Sequence, residues 1–338
     1  MLDVLIVSLG STGGLRTVDE ELLASLRRAG AGAELARATP PRPVHTLMLT
    51  DLAWALAARR AARAALAGHD ARAVIYSTTT AALLWPRRGA IRFDALAAAN
   101  RPGRHGLWQR PLERRRLVQT TLLLPQDAAA LVEVPDATPC RAGDAGVLVL
   151  PVPVEPSLPP GADPGKRDVA AITYAANPHK KGLDLLLAAW AHARLPGEEL
   201  YVAGVARDEL LRLGCALPQE GVRVTGVLPA EEYRALLRRA RTYVCAARRE
   251  DYGVGQLEAL ADGCLLVTLP APGPYAALPL ARSLDPRLVG RDLAGMLRTA
   301  LDDPAPGYAE RALAALAPFR RAAVDRIVAE ELLPRLLT

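Results

Sequence analysis

The sequence is short of several residue types, and each shortage excludes a class of protein. Its four cysteines are scattered without a C-x-x-C pair, which argues against a disulfide framework and against a cysteine-ligated zinc site. Only two phenylalanines occur in 338 residues, so the packing must be aliphatic. No apolar run approaches the roughly 20 residues of a membrane-spanning helix, and the N-terminus lacks the basic segment of a signal peptide. The sequence therefore predicts a cytoplasmic protein.

Lysine and asparagine are also scarce, and most of them lie close together. Lysine occurs only at positions 166, 180 and 181, and asparagine only at positions 100 and 177. The formal net charge of +6 therefore comes almost entirely from arginine, which is spread along helices that also carry Asp and Glu. Such a spread argues against a dedicated nucleic-acid-binding surface. The segment with Asn177, Lys180 and Lys181 is instead a candidate functional loop.

The length and the order of apolar runs predict two α/β domains. In the first half, strands are predicted at 2–9, 33–38, 73–77, 90–93 and 120–125. A long helix is predicted at 51–67, and Thr17-x-x-Glu20 indicates a capping box for the first helix. Short apolar runs that alternate with helical periods are typical of βαβ units and a parallel sheet.

A proline-rich linker at 151–165 precedes a second series of the same kind. Six prolines in this stretch exclude a helix or a central strand. Strands are then predicted at 168–175, 199–204, 222–225, 241–246 and 264–268, alternating with helices at 182–194, 207–214, 230–240 and 254–262. We therefore expect domains at 1–152 and 153–317, and a C-terminal helix at 318–338 that returns to the first domain.

Two loops of the second domain carry unusual chemistry. Lys180 and Lys181 precede a helix that begins at Gly182, where the helix dipole favours an anion, so a bound diphosphate would suit them there. Two solvated surface lysines are the equally weighted alternative. In the second loop, glycines at 253 and 255 open a helix and would let a ligand approach its free N–H groups. Glu250 and Glu258 flank those glycines, and carboxylates suit sugar hydroxyls because they only accept hydrogen bonds.

Together the two loops resemble the family 4 retaining glycosyltransferases of GT-B fold, part of the glycosyl transferases group 1. In that family a Lys-Gly pair after the first strand of the second domain binds the donor diphosphate, and Lys181-Gly182 matches it. The family's E-x7-E signature matches Glu250 and Glu258, and segment 224–233 resembles its base-binding loop. The resemblance covers residues 168–270.

The resemblance implies a GT-B enzyme in which two Rossmann-like, doubly wound parallel-sheet domains face a central cleft. It implies hexosyltransferase activity with Lys181 and Glu250 as the catalytic residues, Glu250 contacting the donor sugar and Glu258 the ribose. The other implied donor contacts are Asn177, Lys180, Gly182, Gly226, Val227, Gly253, Val254 and Gly255. The substrates would be a nucleotide-diphosphate sugar and a hydroxyl acceptor (a glycan, a lipid or a small molecule), and no cofactor or metal is required.

The sequence departs from the family pattern at two places. The family usually carries Gly-Arg a few residues before the lysine, with the arginine on the diphosphate, whereas this chain has Ala175-Ala176. Many members also carry His-Asp after a strand of the first domain, and only Asp94 remains here. The second loss is compatible with front-side attack, in which the departing phosphate takes the acceptor proton. The enzyme then orients the reactants and stabilises charge on the leaving diphosphate.

The first domain offers weaker candidates. The resemblance assigns Gly13 and Gly14 to a loop that closes over donor and acceptor. Segment 92–109 reads as a long polar loop facing the acceptor, and its candidate contacts are Asp94, Asn100, Arg104 and His105. A plain surface loop is an equally good interpretation. The basic helix around 52–66 indicates peripheral contact with an anionic membrane, although a helix packed on the sheet with a solvated basic face is favoured.

Other functions stay open. A nicotinamide-dependent enzyme would also be Rossmann-like, but residues 10–14 do not satisfy G-x-G-x-x-G. A GT-B nucleotide-sugar epimerase would use two similar domains. A catalytically impaired sugar-nucleotide-binding protein is compatible with the missing arginine. The non-enzyme alternative, a basic nucleic-acid-binding protein, leaves the E-x7-E signature unexplained.

Overall fold

The computed structural model describes residues 2–44, 46–101, 103–134, 146–159, 161–163, 165–218 and 220–337. The chain forms two compact units. The first consists of Met1–Pro153 together with Arg321–Thr338, and the second of Val154–Arg320. In the described part of the linker at 151–165 there is no helix or strand, as its prolines predict.

The first unit is built on a five-stranded parallel sheet of order β2-β1-β3-β4-β5. Its strands are β1 (Leu2–Ser8), β2 (Ala33–Arg37), β3 (Ala71–Tyr76), β4 (Ala90–Phe93) and β5 (Leu123–Pro125). Its helices in this part of the chain are α1 (Gly13–Arg28), α2 (Leu47–Gly68), α3 (Thr79–Ala82), α4 (Ala97–Asn100) and α5 (Gln109–Gln119), with short 3-10 helices at Gly103–Gly106 and Ala128–Glu133. In the central strand β1, Val4–Ser8 are all buried, as expected for a parallel sheet that is covered on both faces.

The second unit contains another five-stranded parallel sheet, of order β10-β9-β6-β7-β8. Its strands are β6 (Val169–Tyr174), β7 (Leu200–Ala203), β8 (Val222–Gly226), β9 (Ala240–Cys245) and β10 (Leu265–Thr268). Its helices are α6 (Leu183–Ala193), α7 (Arg207–Arg212), α8 (Ala230–Arg239), α9 (Val254–Ala261), α10 (Ala277–Leu284), α11 (Leu293–Asp302) and α12 (Tyr308–Ala315), with 3-10 helices at Pro286–Leu288 and Ala317–Phe319. The predicted doubly wound α/β architecture is confirmed.

The C-terminal helices belong to the first unit. They are α13 (Arg321–Ile327), a π-helical turn at Val328–Leu332, and α14 (Leu333–Leu337). Val324, Val328 and Leu332 enter the apolar core of that unit. Asp325 accepts hydrogen bonds from Ser25 at 2.5 Å and from Arg28 at 2.8 Å, both on α1. The last helices are thus attached to α1 by apolar packing and by an ion pair.

The start of α1 differs from the sequence prediction. Thr12 caps the helix, because its hydroxyl accepts from the Leu15 amide at 3.2 Å. The prediction that Thr17 caps it is wrong, since the Thr17 hydroxyl bonds inside the helix to the Gly13 carbonyl at 3.2 Å. Gly13 and Gly14 therefore form the first helical turn instead of a loop. A threonine cap one turn earlier offsets the low helix propensity of the two glycines.

Segment 92–109 is also more ordered than predicted. It contains α4 and a 3-10 helix, so the prediction of a long polar loop is wrong in form. Arg101 donates to the buried Asp51 of α2 at 2.6 Å, and Gln109 donates to the same carboxylate at 2.6 Å. The buried carboxylate draws this segment onto α2, which a local reading of glycines and polar residues does not reveal.

The strand order of the second unit determines where its loops meet. β6 is central, with β7 on one side and β9 on the other. The order of connection reverses at the β6–β9 boundary, and ligands of doubly wound sheets bind at the carboxyl ends of strands at such a point. The loops that follow β6 and β9 are the two that the sequence singled out.

No helix within the described ranges is long and apolar enough to cross a membrane. Helix α2 packs Ala55, Ala58 and Ala62 inward and leaves Arg60 and Arg63 exposed. The helix is thus packed on the sheet with its arginines exposed, and contact of this face with a membrane stays a prediction.

Candidate functional site

The loop after β6 fits tightly against the end of β9. Gly182 is the N-cap of α6 and adopts a left-handed backbone conformation with φ of 62°. A Cβ at this position would overlap the carbonyl oxygen of Ala246, just after β9. Glycine is therefore required both by the backbone conformation and by the close approach of the two loops. This contact brings Lys181 next to the loop that follows β9.

Lys181 and Glu250 form an ion pair across the two loops. The Nζ of Lys181 lies 2.6 Å from Oε2 of Glu250. The Glu250 side chain is only 6% exposed, and it also accepts from Nε2 of Gln256 at 2.8 Å. A buried carboxylate needs such partners because burial without them is costly. The two residues predicted to be catalytic are thus in direct contact.

Lys180 makes a parallel contact one residue away. Its Nζ lies 2.5 Å from Oδ2 of Asp251, and Arg249 donates to the other oxygen of the same carboxylate at 2.9 Å. Burial raises the pKa of Asp251, but Lys180 and Arg249 outweigh it, so the pKa lies below its ordinary value. Asp251 is therefore a firmly ionised residue that holds Lys180 in place.

A third ion pair completes the link between the loops. Arg248 binds the carboxylate of Asp184 through two nitrogens at 2.8 and 2.6 Å, and this pairing lowers the pKa of Asp184. The backbone amide of Arg248 also donates to the Lys180 carbonyl at 2.9 Å. We call the pairs Lys181–Glu250, Lys180–Asp251 and Asp184–Arg248 the ion-pair ladder. The ladder fixes the loops of β6 and β9 against each other.

The glycines at the start of α9 pack closely against two tyrosines. Gly253 is the N-cap with φ of 90°, and a Cβ there would lie 2.9 Å from the ring of Tyr275. A Cβ on Gly255 would lie 3.0 Å from the hydroxyl of Tyr243. The first N–H groups of a helix have no partner within the helix, so those of Val254 and Gly255 are suited to a phosphate.

Glu258 lies in the second turn of α9 and is more exposed than Glu250. Its Oε1 is 3.7 Å from Arg234 of α8, which also donates to Asp262 at 2.6 Å. Burial raises the pKa of Glu258, and Arg234 only partly opposes this. A carboxylate with a weak partner is suited to accept hydrogen bonds from a ligand's hydroxyl groups.

The other predicted donor residues border the same edge of the sheet. The side-chain oxygen of Asn177 accepts from the Lys180 amide at 3.0 Å, which shapes the turn before α6. Gly226 ends β8 with φ of 79°, and Val227 follows it as an exposed residue. Their assignment to donor binding stays a prediction.

The predicted acceptor residues and Gly13-Gly14 belong to the first unit. Asp94 follows β4, and its side chain accepts from the adjacent Ala95 amide at 2.8 Å. Asn100 ends α4, while Arg104 and His105 are exposed in the 3-10 helix after it. The structure does not gather these four side chains into a cluster of hydrogen bonds among the contacts it describes. Their role in acceptor binding also stays a prediction.

Sequence reasoning missed several residues of the site. Asp251, Arg249 and Gln256 hold Lys180 and Glu250 in place, and Arg234 contacts Glu258. The sequence offers one indication of Asp251: two carboxylates are adjacent at positions 250 and 251, as two lysines are at positions 180 and 181. Pairing Lys180 with Asp251 requires the two loops to run in opposite directions, and only the strand order shows that they do.

The position of the missing arginine is accessible. Ala175 is fully buried, whereas Ala176 is exposed. A side chain could therefore extend from Ala176 but not from Ala175. The same loop carries two cations, Lys180 and Lys181.

A cavity of about 760 Å³ lies beside the same loop. Asn177, His179 and Asp184 line it, together with residues of α7 and the segment after it. Asp184 of the ion-pair ladder is thus shared with the cavity, whereas none of the lysines is among the described residues that line it. In the described part of the chain, no group of three or more His, Cys, Asp or Glu side chains could hold a metal ion, and the absence of a metal requirement stays a prediction.

The second unit matches a known family. Residues 168–285 match the family model described as Glycosyl transferases group 1. This range contains the ion-pair ladder, the glycines of α9 and Glu258. A search of curated proteins finds no match to the sequence.

Solved glycosyltransferase structures share the fold of the whole chain. WaaG, a glycosyltransferase involved in lipopolysaccharide biosynthesis, has a TM-score of 0.69 at 15% identity, covering 99% of both chains. HepE from Anabaena, in complex with UDP and glucose, has a TM-score of 0.69 at 15% identity, over 98% of this chain and 99% of that one. Sucrose-phosphate synthase from Thermosynechococcus elongatus has a TM-score of 0.66 at 14% identity, over 98% of both chains. The predicted GT-B fold and the group 1 resemblance are confirmed, while membership of family 4 stays a prediction.

Proposed function

From the premise that residues 168–285 form a glycosyltransferase domain on a GT-B fold, we propose that the chain is a retaining hexosyltransferase. It takes a sugar from a nucleotide-diphosphate donor and transfers it to a hydroxyl group of a glycan, a lipid or a small molecule. The donor binds at the carboxyl ends of β6 and β9. The acceptor contacts are Asp94, Asn100, Arg104 and His105, and Gly13-Gly14 borders both substrates.

The observation that carries this proposal is the Lys181–Glu250 pair beside the N-terminus of α9. Two adjacent loops contain a lysine, a buried carboxylate held by Gln256, and the N–H groups of Val254 and Gly255 at the start of a helix. The lysine and the helix N-terminus favour phosphate oxygens, and the carboxylate favours sugar hydroxyls. In a molecule with a sugar joined to a diphosphate, the phosphate oxygens and the sugar hydroxyls are close enough together to contact these groups at the same time.

The charge of the two loops also matches a diphosphate. The ion-pair ladder together with Arg249 contains four cations and three carboxylates. The N-termini of α6 and α9 each add about half a positive charge. The local excess is therefore about two positive charges, which balances the charge of an ionised diphosphate bridge. Lys180 supplies a second cation in place of the arginine absent at position 176.

The chemistry that these groups perform is orientation and charge stabilisation. Lys181 and the N–H groups at the start of α9 stabilise the negative charge that grows on the leaving diphosphate. Glu250 holds the donor sugar by its hydroxyls, so that the acceptor hydroxyl attacks from the face that the phosphate leaves. The leaving phosphate oxygen takes the acceptor proton, and the configuration at the anomeric carbon is kept.

A thermal-shift panel of UDP-, GDP-, ADP- and TDP-sugars tests the donor site. A ligand at about 100 times its Kd adds about 2.7 kcal/mol to the unfolding free energy, so the matching donor raises the melting temperature measurably. A chain that responds to none of the four at millimolar concentration is not a nucleotide-sugar-dependent transferase. With the matching donor, nuclear magnetic resonance of the product decides the stereochemistry, because an inverted anomeric centre contradicts a retaining mechanism.

The proposal includes a cytoplasmic location and peripheral contact with an anionic membrane, and it includes no nucleic-acid partner and no metal cofactor. Exposed Arg60 and Arg63 on α2, next to exposed Leu49 and Leu56 on the same helix, support the membrane contact. Flotation with phosphatidylglycerol vesicles should retain the wild type and lose a variant with both arginines changed to serine. Equal flotation of both proteins contradicts this contact.

A further inference from the structure

Two apolar side chains at the carboxyl edge of the second sheet are exposed, and one of them, Tyr174, has no role so far. Tyr174, the last residue of β6, is 37% exposed, and Val227, directly after β8, is 76% exposed. Single exposed apolar residues are common on protein surfaces. An exposed aromatic ring at this edge is different, because the carboxyl edge of a doubly wound sheet is where ligands bind.

The ring of Tyr174 covers a glycine at the end of β7. A Cβ on Gly204 would lie 2.7 Å from the ring, and Gly204 has φ of 87°. The Gly204 amide donates to the carbonyl of Gly226 at 2.8 Å, and Val227 is the next residue. The tyrosine ring and the valine therefore border one continuous stretch of the sheet edge, formed by the ends of β6, β7 and β8.

Tyr233 of α8 fixes the orientation of the Tyr174 ring. The two ring centroids are 5.5 Å apart with an interplanar angle of 66°, an edge-to-face arrangement that aromatic pairs prefer. The Tyr233 hydroxyl is buried, and a Cβ on Gly255 would lie 3.8 Å from it. The next residue, Arg234, contacts Glu258. The ring is thus held at a fixed place relative to the start of α9 and to the residue expected to bind the ribose.

We propose that Tyr174 is the stacking face for the nucleobase of the donor, beside Val227 of the segment that resembles the family's base-binding loop. This inference rests on the proposed function and adds the part of the ligand that the charged loops do not recognise. A nucleobase is a planar aromatic group, and every base has a face that stacks on an aromatic side chain. Tyr174 therefore contributes affinity for a nucleoside, whereas the ion-pair ladder contributes affinity for the diphosphate.

The test separates the base from the phosphates. Wild type is first tested with UDP, GDP, ADP and TDP, and the nucleotide that it binds most tightly becomes the first probe. Inorganic pyrophosphate, measured as a competitor of that nucleotide, is the second probe. Tyr174→Ala should weaken nucleoside diphosphate binding about tenfold, which is about 1.4 kcal/mol, as expected for loss of a stacked ring. The inhibition constant of pyrophosphate should change less than about twofold. Tyr174→Phe, which keeps the ring, should bind both probes like wild type.

Controls keep the result interpretable. Leu211→Ala removes an exposed apolar side chain from α7 in the same unit and should change neither constant. Val227→Asp, at a position too exposed to affect folding, should weaken the nucleoside diphosphate even if Tyr174→Ala fails to fold. If neither Tyr174→Ala nor Val227→Asp weakens nucleoside diphosphate binding, the inference fails while the proposed function stands. It also fails if Tyr174→Ala weakens pyrophosphate binding as much as nucleoside diphosphate binding. A wild-type chain that binds none of the nucleotides overturns the proposed function and this inference with it.

Discussion

The carboxyl edges of the two sheets both carry an ion pair, but the two pairs differ in their exposure to solvent. In the first unit, Arg92 at β4 lies 3.2 Å from Asp19 of α1, and their side chains are 2% and 0% exposed. The Ser8 hydroxyl at the end of β1 donates to the same carboxylate. In the second unit, Lys181 is 25% exposed while it contacts Glu250. One pair is closed off from solvent, and the other has a cation that a ligand can reach.

This difference gives the two pairs different expected roles, the first in stability and the second in binding. Burial raises the pKa of Asp19, and Arg92 opposes this shift. A charge enclosed in this way is stabilised only by its protein partners, so it has no capacity left for a ligand. A partly exposed lysine can instead shift from its carboxylate to a phosphate without leaving either group unpaired. We therefore expect changes in the first pair to alter stability and changes in the second to alter binding.

The largest expected effect is on the buried pair. Arg92→Met leaves the Asp19 carboxylate without its cation and should lower the unfolding free energy by about 3–5 kcal/mol. Urea denaturation measures this difference. The double variant Asp19→Asn with Arg92→Met removes both charges and should recover most of the loss. A cost below about 1 kcal/mol for Arg92→Met would mean that the pair is not structural.

Lys181→Ala should have the second-largest effect, and it should act on binding. Loss of the lysine beside Glu250 is expected to weaken donor binding about 100-fold, or about 2.7 kcal/mol, while Gln256 still holds the carboxylate. Isothermal titration with the matching nucleotide sugar measures this change. Lys166→Ala changes the exposed third lysine of the chain and serves as the matched control. Equal affinities of the two variants would remove Lys181 from the site.

Restoring the absent arginine sharpens the comparison. Ala176→Arg places a guanidinium at the exposed position beside the two lysines and should raise affinity for a nucleoside diphosphate about fivefold, or about 1 kcal/mol. Ala175→Arg is the contrasting control, because that position is fully buried and the change should destabilise the fold. Unchanged affinity in Ala176→Arg would mean that Lys180 already fills the place of that arginine, and lower affinity would mean that position 176 does not face the diphosphate.

The smallest expected effect concerns Glu258 and pH. Because burial raises its pKa in the folded state, the folded chain holds this proton more tightly than the unfolded chain. The unfolding free energy should therefore fall as the pH rises from the ordinary carboxyl value of about 4.3 to the raised pKa. Glu258→Gln should remove this fall and be more stable at pH 8 by up to about 1 kcal/mol. Urea denaturation at pH 5 and pH 8 checks it, and equal pH dependence in both proteins contradicts the assignment.

The sequence reveals the second unit better than the first. β6 was expected at 168–175 and spans Val169–Tyr174, because an apolar run buried on both faces of a parallel sheet is conspicuous in sequence. The start of α1 was misplaced because Thr12 and Thr17 both offer a capping hydroxyl and only the cap geometry distinguishes them. Local patterns therefore predict elements well, and their ends less well.

The partners of the site residues could not be read from the sequence. Lys180 and Asp251 are 71 residues apart in the chain and meet because β6 and β9 are neighbours in the sheet. Tyr174 was predicted only as part of a strand, since its exposure depends on Gly204 and Tyr233, which belong to other elements. Spacing within one loop indicated Glu250 and Glu258 as candidates, whereas every contact between the two loops required the topology.

The two ends of the second unit meet at its boundary. The Val154 amide donates to the Phe319 carbonyl at 2.7 Å, and Glu155 pairs with Arg320 at 3.0 Å. In chain order the second unit is thus an insertion into the first, and these contacts hold its first and last residues together. Both chain termini belong to the first unit. Such closed insertions are suited to excision or circular permutation. A gene fragment that encodes Val154–Arg320 is accordingly the natural starting point for producing the second unit on its own.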